Sequence, residues 1–305
     1  MTLLINISQL VTVNAGGAPT KTGAQMRDLG VIEQGAVVFD DVIRWVGRTE
    51  KIPSEYLGGE HDVVDCTGQT VMPGFVDSHT HMVFAGSRAH EYARRLSGVP
   101  YTQIAAEGGG ILTTMNAVRQ ATVEEIYEIG ERLVMSALEH GTTTVEIKSG
   151  YGLSTEAELK LLDAIGMLQE EMPSEIHATF LGAHDVPPEY KHDPDAYVTL
   201  VVDEMLDLVK QQNIASAVDV FTDKGFFTVE QSERILDAAR ERGFDIRIHA
   251  DEIANIGASL MAARYGALSA DHLEFTTAED MRAMRDAGVV ATLLPGTAYT
   301  LRLPY

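Results

Sequence analysis

"FVDSHTHMVFAG", residues 75–86, places two histidines, His79 and His81, one residue apart behind an apolar run. In an extended segment the side chains of residues i and i+2 point to one face, so both imidazoles can reach one cation. "VMPGFVD" reads as a buried strand, apolar and opened by Pro73-Gly74. A histidine pair at the end of such a strand lies where parallel α/β proteins keep their chemistry. Spacing alone does not decide, because histidines on a strand also serve as hydrogen-bonded core residues.

Downstream of this stretch, strands and helices alternate. "TTTVEIKS" (142–149), "EIHATFLGAH" (175–184), "AVDVFTD" (217–223), "FDIRIHADE" (244–252), "ALSADHLE" (267–274) and "VVATLLPG" (289–296) each read as a buried strand. Thr122-Val-Glu-Glu125, Thr228-Val-Glu-Gln231 and Thr276-Thr-Ala-Glu279 read as capping boxes, and Gly141, Gly243, Gly266 and Gly288 as helix ends. With the strand at 71–78 this makes seven strands interleaved with helices. The pattern predicts a (β/α)8 barrel of the TIM type over residues 71–305, with seven of its strands in this chain.

Upstream, residues 1–70 predict the N-terminal part only of a small all-β domain of sandwich-like character. "LLINISQLVTV", "AVVFDD", "VIRWVG" and "DVVDCTGQTVM" are short, β-branched and broken by Gly, Asp and Asn. Asp40-Asp41 would turn a hairpin, and Trp45 on it reads as core. The net charge of −22 argues against nucleic acid or an anionic membrane as partner. A single cysteine, Cys66, allows no intrachain disulfide and suits a reducing cytoplasm. The N-terminus lacks the basic region of a signal peptide, and no apolar run reaches the ~18–20 residues of a membrane span.

Polar residues gather at one end of strand after strand. His79 and His81 close the first, Glu146 and Lys148 the second, and His184 the third. Asp223 closes the fourth, His249, Asp251 and Glu252 the fifth, and Asp271 and His272 the sixth. In a barrel these ends converge on one mouth, so five of the ten histidines would crowd a single cavity. Neutral imidazoles with carboxylates suit zinc or iron, a Lewis acid able to acidify water.

"PGFVDSHTH" followed by strand-end histidines resembles the amidohydrolase superfamily. "HMVFAGSR", "AAEGGGI", "VEIKSGYGL", "FLGAH", "DVF", "HADE", "GALSADHLE" and "LLPG" resemble the imidazolonepropionase family within it, over essentially the whole chain. The resemblance implies hydrolysis of the ring amide of 4-imidazolone-5-propanoate to N-formimidoyl-L-glutamate in histidine degradation. It implies one divalent or trivalent metal ion, zinc or iron, on His79, His81 and His249. It implies that Arg88 pairs with the anionic substrate's propionate, and that Tyr151 and His184 contact the ring and its carboxylate end. It places Glu252 and His272 beside the reacting water. Glu252, three residues past His249, is the favoured base, and His272 is the other candidate. Lys148 is expected to form an ion pair or hydrogen bond rather than the carbamate of two-metal relatives. A homodimer is also implied.

The family pattern has a further ligand, an aspartate at the end of strand 8, and no Asp lies between Asp286 and Tyr305. The sequence therefore reads as truncated before barrel strand 8, with impaired activity as the expectation. Two other readings stay open: another amidohydrolase of the cytosine or guanine deaminase type, and a non-catalytic metal-binding fragment.

Overall fold

The structure, a computed structural model, describes residues 1–18, 20–58, 60–100, 103–104 and 107–303. Ala105 and Ala106 of the "AAEGGGI" stretch, and Pro304 and Tyr305 at the end, lie outside the described residues. The chain divides into two units, Met1–Gly74 and Phe75–Tyr305.

The first unit carries β1 (Thr2–Val11), β2 (Val31–Phe39), β3 (Ile43–Arg48), β4 (Asp62–Asp65) and β5 (Thr70–Val71). They form one mixed sheet in the order β3-β2-β1-β4, with β5 also paired to β1. The described residues thus make a single layer rather than two packed ones. Its core gathers Ile7, Leu10, Val37 and Cys66. Phe39 and Ile43 pair across the Asp40-Asp41 turn, as the sequence suggests. Trp45 departs from its expected core position. It is half-buried and lies against Gly47, because β3 has a neighbour on one side only.

The second unit is a seven-stranded parallel sheet curled into a nearly closed barrel. In chain order its strands are β6 (Phe75–Thr80), β7 (Thr142–Lys148), β8 (Glu175–Ala183), β9 (Ala217–Thr222), β10 (Asp245–Ala250), β11 (Ser269–His272) and β12 (Val290–Thr292). Each pairs in parallel with the next, which requires the crossover helices seen between them. β9 is buried along its whole length, as a strand covered on both faces should be.

β6 and β12 differ from the uniformly buried strands expected. β6 starts at Phe75, because Thr70-Val71 belong to β5 and Pro73-Gly74 separate the two. Phe75, Val76 and Val290 are more than half exposed, since β6 and β12 form the two edges of the sheet.

Helix starts follow the caps read from sequence in two cases. Thr122 with Glu125, and Thr228 with Gln231, close reciprocal capping boxes before Val123–Glu139 and Val229–Glu241. The third box sits one residue later, Thr277 with Asp280, before Ala278–Ala287. Thr276 is unavailable as a cap because its hydroxyl bonds Asp251 Oδ2 at 3.0 Å. Helix Thr155–Glu171, capped by Ser154, buries Leu161, Leu162, Ile165 and Leu168 completely. Each such side chain contributes about 1.5–3 kcal/mol, so truncating one to Ala would loosen the wall behind β7 and β8.

Candidate active site

All seven strands run the same way, so their C-terminal ends open on one rim. The cavity there, of about 450 Å³, is lined by His79, His81, Arg88, Tyr151, His184, His249, Glu252 and His272. The eight residues to which the family resemblance gives a role in holding metal, substrate or water therefore line one space.

His79, His81 and His249 offer ring nitrogens that all lie within 4.8 Å of one another. His79 Nδ1 stands 2.6 Å from Asp271 Oδ2, and His249 Nδ1 stands 2.9 Å from Asp219 Oδ2. An ionised carboxylate only accepts, so both rings donate from Nδ1 and keep a lone pair on Nε2. Asp219 also accepts the backbone N–H of His249 at 3.0 Å, which fixes the ring and its main chain together. His249 Nε2 and His81 Nδ1 are buried without a hydrogen-bond partner among the described residues. Leaving such an atom unsatisfied costs about 1–3 kcal/mol, which a bound cation removes. The three histidines therefore fit a metal ion, and the buried imidazole set is of the kind that suits transition metals.

Burial holds the titrating groups away from their ordinary values. It lowers His79, His81 and His272 well below the usual imidazole range, helped by the neighbouring rings and by Lys148 beside His79. His184 is brought down to about 3, chiefly by burial and then by His249. Its Nδ1 donates to the Gly150 carbonyl at 2.9 Å, so its free Nε2 is an acceptor. Burial raises the Tyr151 phenol, keeping it protonated. Glu252 rises to about 8, first by burial and then by repulsion from Glu274 and Asp223. Its Oε1 is 3.7 Å from His272 Nδ1, too long for a hydrogen bond.

Tyr151 and His184 are set by one loop. Gly150 has φ of +105°, and a Cβ there would meet Leu181 and stand 3.0 Å from His184 Nδ1, so this tight approach requires glycine. The buried Glu158 carboxylate accepts the N–H groups of Gly150, Gly152 and Leu153 at 2.7–2.9 Å. Arg88 precedes helix Ala89–Leu96 and is half-buried on the rim.

Below the histidines lies a buried ionic group. Lys148, wholly inaccessible, contacts Asp219 Oδ2 at 2.8 Å, Glu146 Oε1 at 2.9 Å and Asp271 Oδ2 at 3.5 Å. Burial would depress its ammonium, but the three carboxylates outweigh burial and hold it above the usual lysine value. The ion pair expected for Lys148 is thus present.

Two strand-end residues read as part of the constellation face elsewhere. Asp223 accepts the N–H groups of Lys224, Ile253 and Ala254, and Asp251 accepts the hydroxyls of Ser259 and Thr276. Both brace the loop after β10. Conversely, the sequence reading gave no site role to Asp219, Glu91, Arg95 or the segment Leu294–Leu301, which support or line the cavity, although "DVF" and "LLPG" are among the family motifs. Asp219 shares one face of its strand with Phe221 by the period-2 rule, but the sequence does not show what that face meets. Glu91 accepts the Gly110 N–H at 3.1 Å and so ties down the glycine turn that follows.

The model of the Amidohydrolase family matches residues 70–302. Imidazolonepropionase of Alkaliphilus metalliredigens is 49% identical over 300 residues, 98% of this chain and 71% of that relative. The chain belongs to the imidazolonepropionase family. Family members named imidazolonepropionase from Geobacillus kaustophilus and Streptococcus gordonii are 46% and 44% identical, over 96% and 98% of this chain. The chain spans 70% and 71% of those two imidazolonepropionases. Among solved structures, E. coli guanine deaminase superposes with a TM-score of 0.67 at 16% identity, covering 100% of this chain and 70% of that one. Guanine deaminase of C. acetobutylicum gives 0.62 at 13%, over 99% and 70%. At such identities the deaminases share the fold, whereas the imidazolonepropionases share the family.

Proposed function

We propose that this chain hydrolyses the ring amide of 4-imidazolone-5-propanoate to N-formimidoyl-L-glutamate, the reaction of histidine degradation that gives its relatives their name. The observation that carries this reading is one cavity holding both the three-histidine cluster and Arg88, Tyr151 and His184.

The residues divide the task. His79, His81 and His249 would hold the ion, zinc or iron, whose Lewis acidity polarises a carbonyl and acidifies water. The Arg88 guanidinium offers parallel donors to the propionate of the substrate, a match a lysine could not make as well. His184 presents Nε2 as an acceptor to a ring N–H, and Tyr151 presents its phenol as a donor. Hydrolysis breaks the ring C–N bond, leaving the hydroxyl of water on carbon and a proton on nitrogen. Glu252 suits the transfer, since a carboxyl brought to about 8 both accepts and returns a proton near neutral pH. His272, held neutral, is the alternative base or the group that polarises the carbonyl. We further read the chain as a cytoplasmic homodimer; no described helix is long and apolar enough to cross a membrane.

The test loads the purified protein with zinc or iron and follows substrate loss and formimidoyl-glutamate formation. A substrate lacking the propionate arm should be handled far more slowly. Equal handling would favour a deaminase-like pocket, and retained metal without turnover would favour a binding role alone.

A further inference from the structure

Lys148 has no place in the reaction as described, yet it is a fully buried ammonium in the barrel. An ammonium with no solvent access forfeits several kcal/mol of hydration, and an apolar side chain would often be more stable there. The geometry around it gives a reason for the cost. Asp219 Oδ2 receives Lys148 Nζ at 2.8 Å and His249 Nδ1 at 2.9 Å on the same oxygen. Asp271 Oδ2 receives His79 Nδ1 at 2.6 Å and stands 3.5 Å from the same ammonium. One cation from β7 thus links a carboxylate on β9 with a carboxylate on β11, and through them a histidine on β10 with a histidine on β6. Glu146, at 2.9 Å, completes the lysine's partners. Asp219 and Asp271, both wholly buried, would repel each other and turn apart without a charge between them.

We propose that Lys148 is a positioning residue for the ion site: its ammonium holds the Asp219 and Asp271 carboxylates in place, and they aim the Nε2 atoms of His249 and His79 into the cavity. This rests on the assignment of His79 and His249 as ion ligands. The proposal makes a prediction opposite in sign to simple electrostatics. A lysine near a cation site repels the cation, so removing it should tighten binding; if it positions the ligands, removing it should weaken binding.

The experiment uses the full chain, metal-free and labelled with ¹⁵N-histidine. Long-range ¹H–¹⁵N correlations report the ring tautomers, and competition with a chelator reports zinc affinity, for the native protein, Lys148→Met and Lys148→Arg. We expect Nδ1–H tautomers at His79 and His249 in the native protein and mixed tautomers in Lys148→Met. Zinc affinity should fall by about 10–100-fold in Lys148→Met, the range for losing an outer-shell partner. Lys148→Arg, which keeps the charge, should recover most of both. Unchanged tautomers, zinc bound equally or more tightly by Lys148→Met, or failure of both variants to fold would overturn the proposal. Native protein that binds zinc, with affinity and tautomers that respond to Lys148 but with no turnover, would remove the hydrolase reading and leave this one. A native enzyme that binds zinc and turns over, indifferent to Lys148, would do the reverse.

Discussion

The cavity lining comes from two sources that are built differently. Where strands end, His79, His249 and His272 are less than a tenth exposed, and two of them are held by aspartates from other strands of the barrel. Where helices and connections contribute, Arg88 and Arg95 are half-buried, and Arg95 makes a long 3.4 Å contact to the Thr300 carbonyl and lies over the Tyr92 ring. Strand ends cannot shift without breaking a parallel ladder, so they suit groups whose mutual geometry must not vary. Helix starts tolerate substitution, so they suit groups that choose the substrate.

If this division is real, variants on the two sides should fail in different ways. The largest effect is expected from His249→Ala. Zinc content should drop to background and turnover with it, a loss beyond the roughly 10–100-fold of removing a supporting partner. Glu252→Gln should keep zinc and lower kcat by about 10²–10⁴-fold, the usual contribution of a general base. Arg88→Met should raise KM by about 10–100-fold with kcat little changed, as expected for losing a charged hydrogen bond of about 1.5–3 kcal/mol. Should Arg88→Met strip the zinc as well, the two sides are not separable and the comparison fails.

The smallest effect concerns stability and pH. Glu252 ionises at about 8 in the folded chain against an ordinary 4.5, so the folded state keeps a proton the unfolded state has lost. Its contribution is therefore best at low pH and is lost as pH rises through 8. The histidines act in the other direction. His79, His81, His184 and His272 lie below 6.5, so the stability they confer is lost as pH falls below that value. Thermal melts of metal-free protein should show Glu252→Gln gaining on the native chain above pH 8, by roughly 2–4 °C per kcal/mol relieved, and matching it near pH 4. Parallel curves at all pH values would show that the Glu252 carboxyl is not buried as described.

The same division governs what can be read from sequence. His79 and His81 are legible because an i, i+2 pair on a strand has only one geometry, and His184, His249 and His272 because each closes an apolar run. Asp219 is not, since a reading that attends to strand ends skips an acid inside "AVDVFTD"; its role exists only when β10 brings His249 alongside. Glu91 and Arg95 sit in the charged run "SRAHEYARR", which looks like any solvated helix face. The cap at Thr276-Thr277 misled because two threonines allow two registers, and only the third partner, Asp251, decides between them. β6 was read as starting too early because Val71 and Phe75 belong to the same apolar run, although a proline and a glycine part them.

Glu158 grips the turn at Gly150, Gly152 and Leu153, and the Gly150 carbonyl in turn grips His184. The phenol arriving from β7 and the imidazole arriving from β8 are therefore yoked to a single anchor on helix Thr155–Glu171. Whatever loosens that anchor slackens both at once, so the two halves of the hold on a planar ring behave as a single jaw.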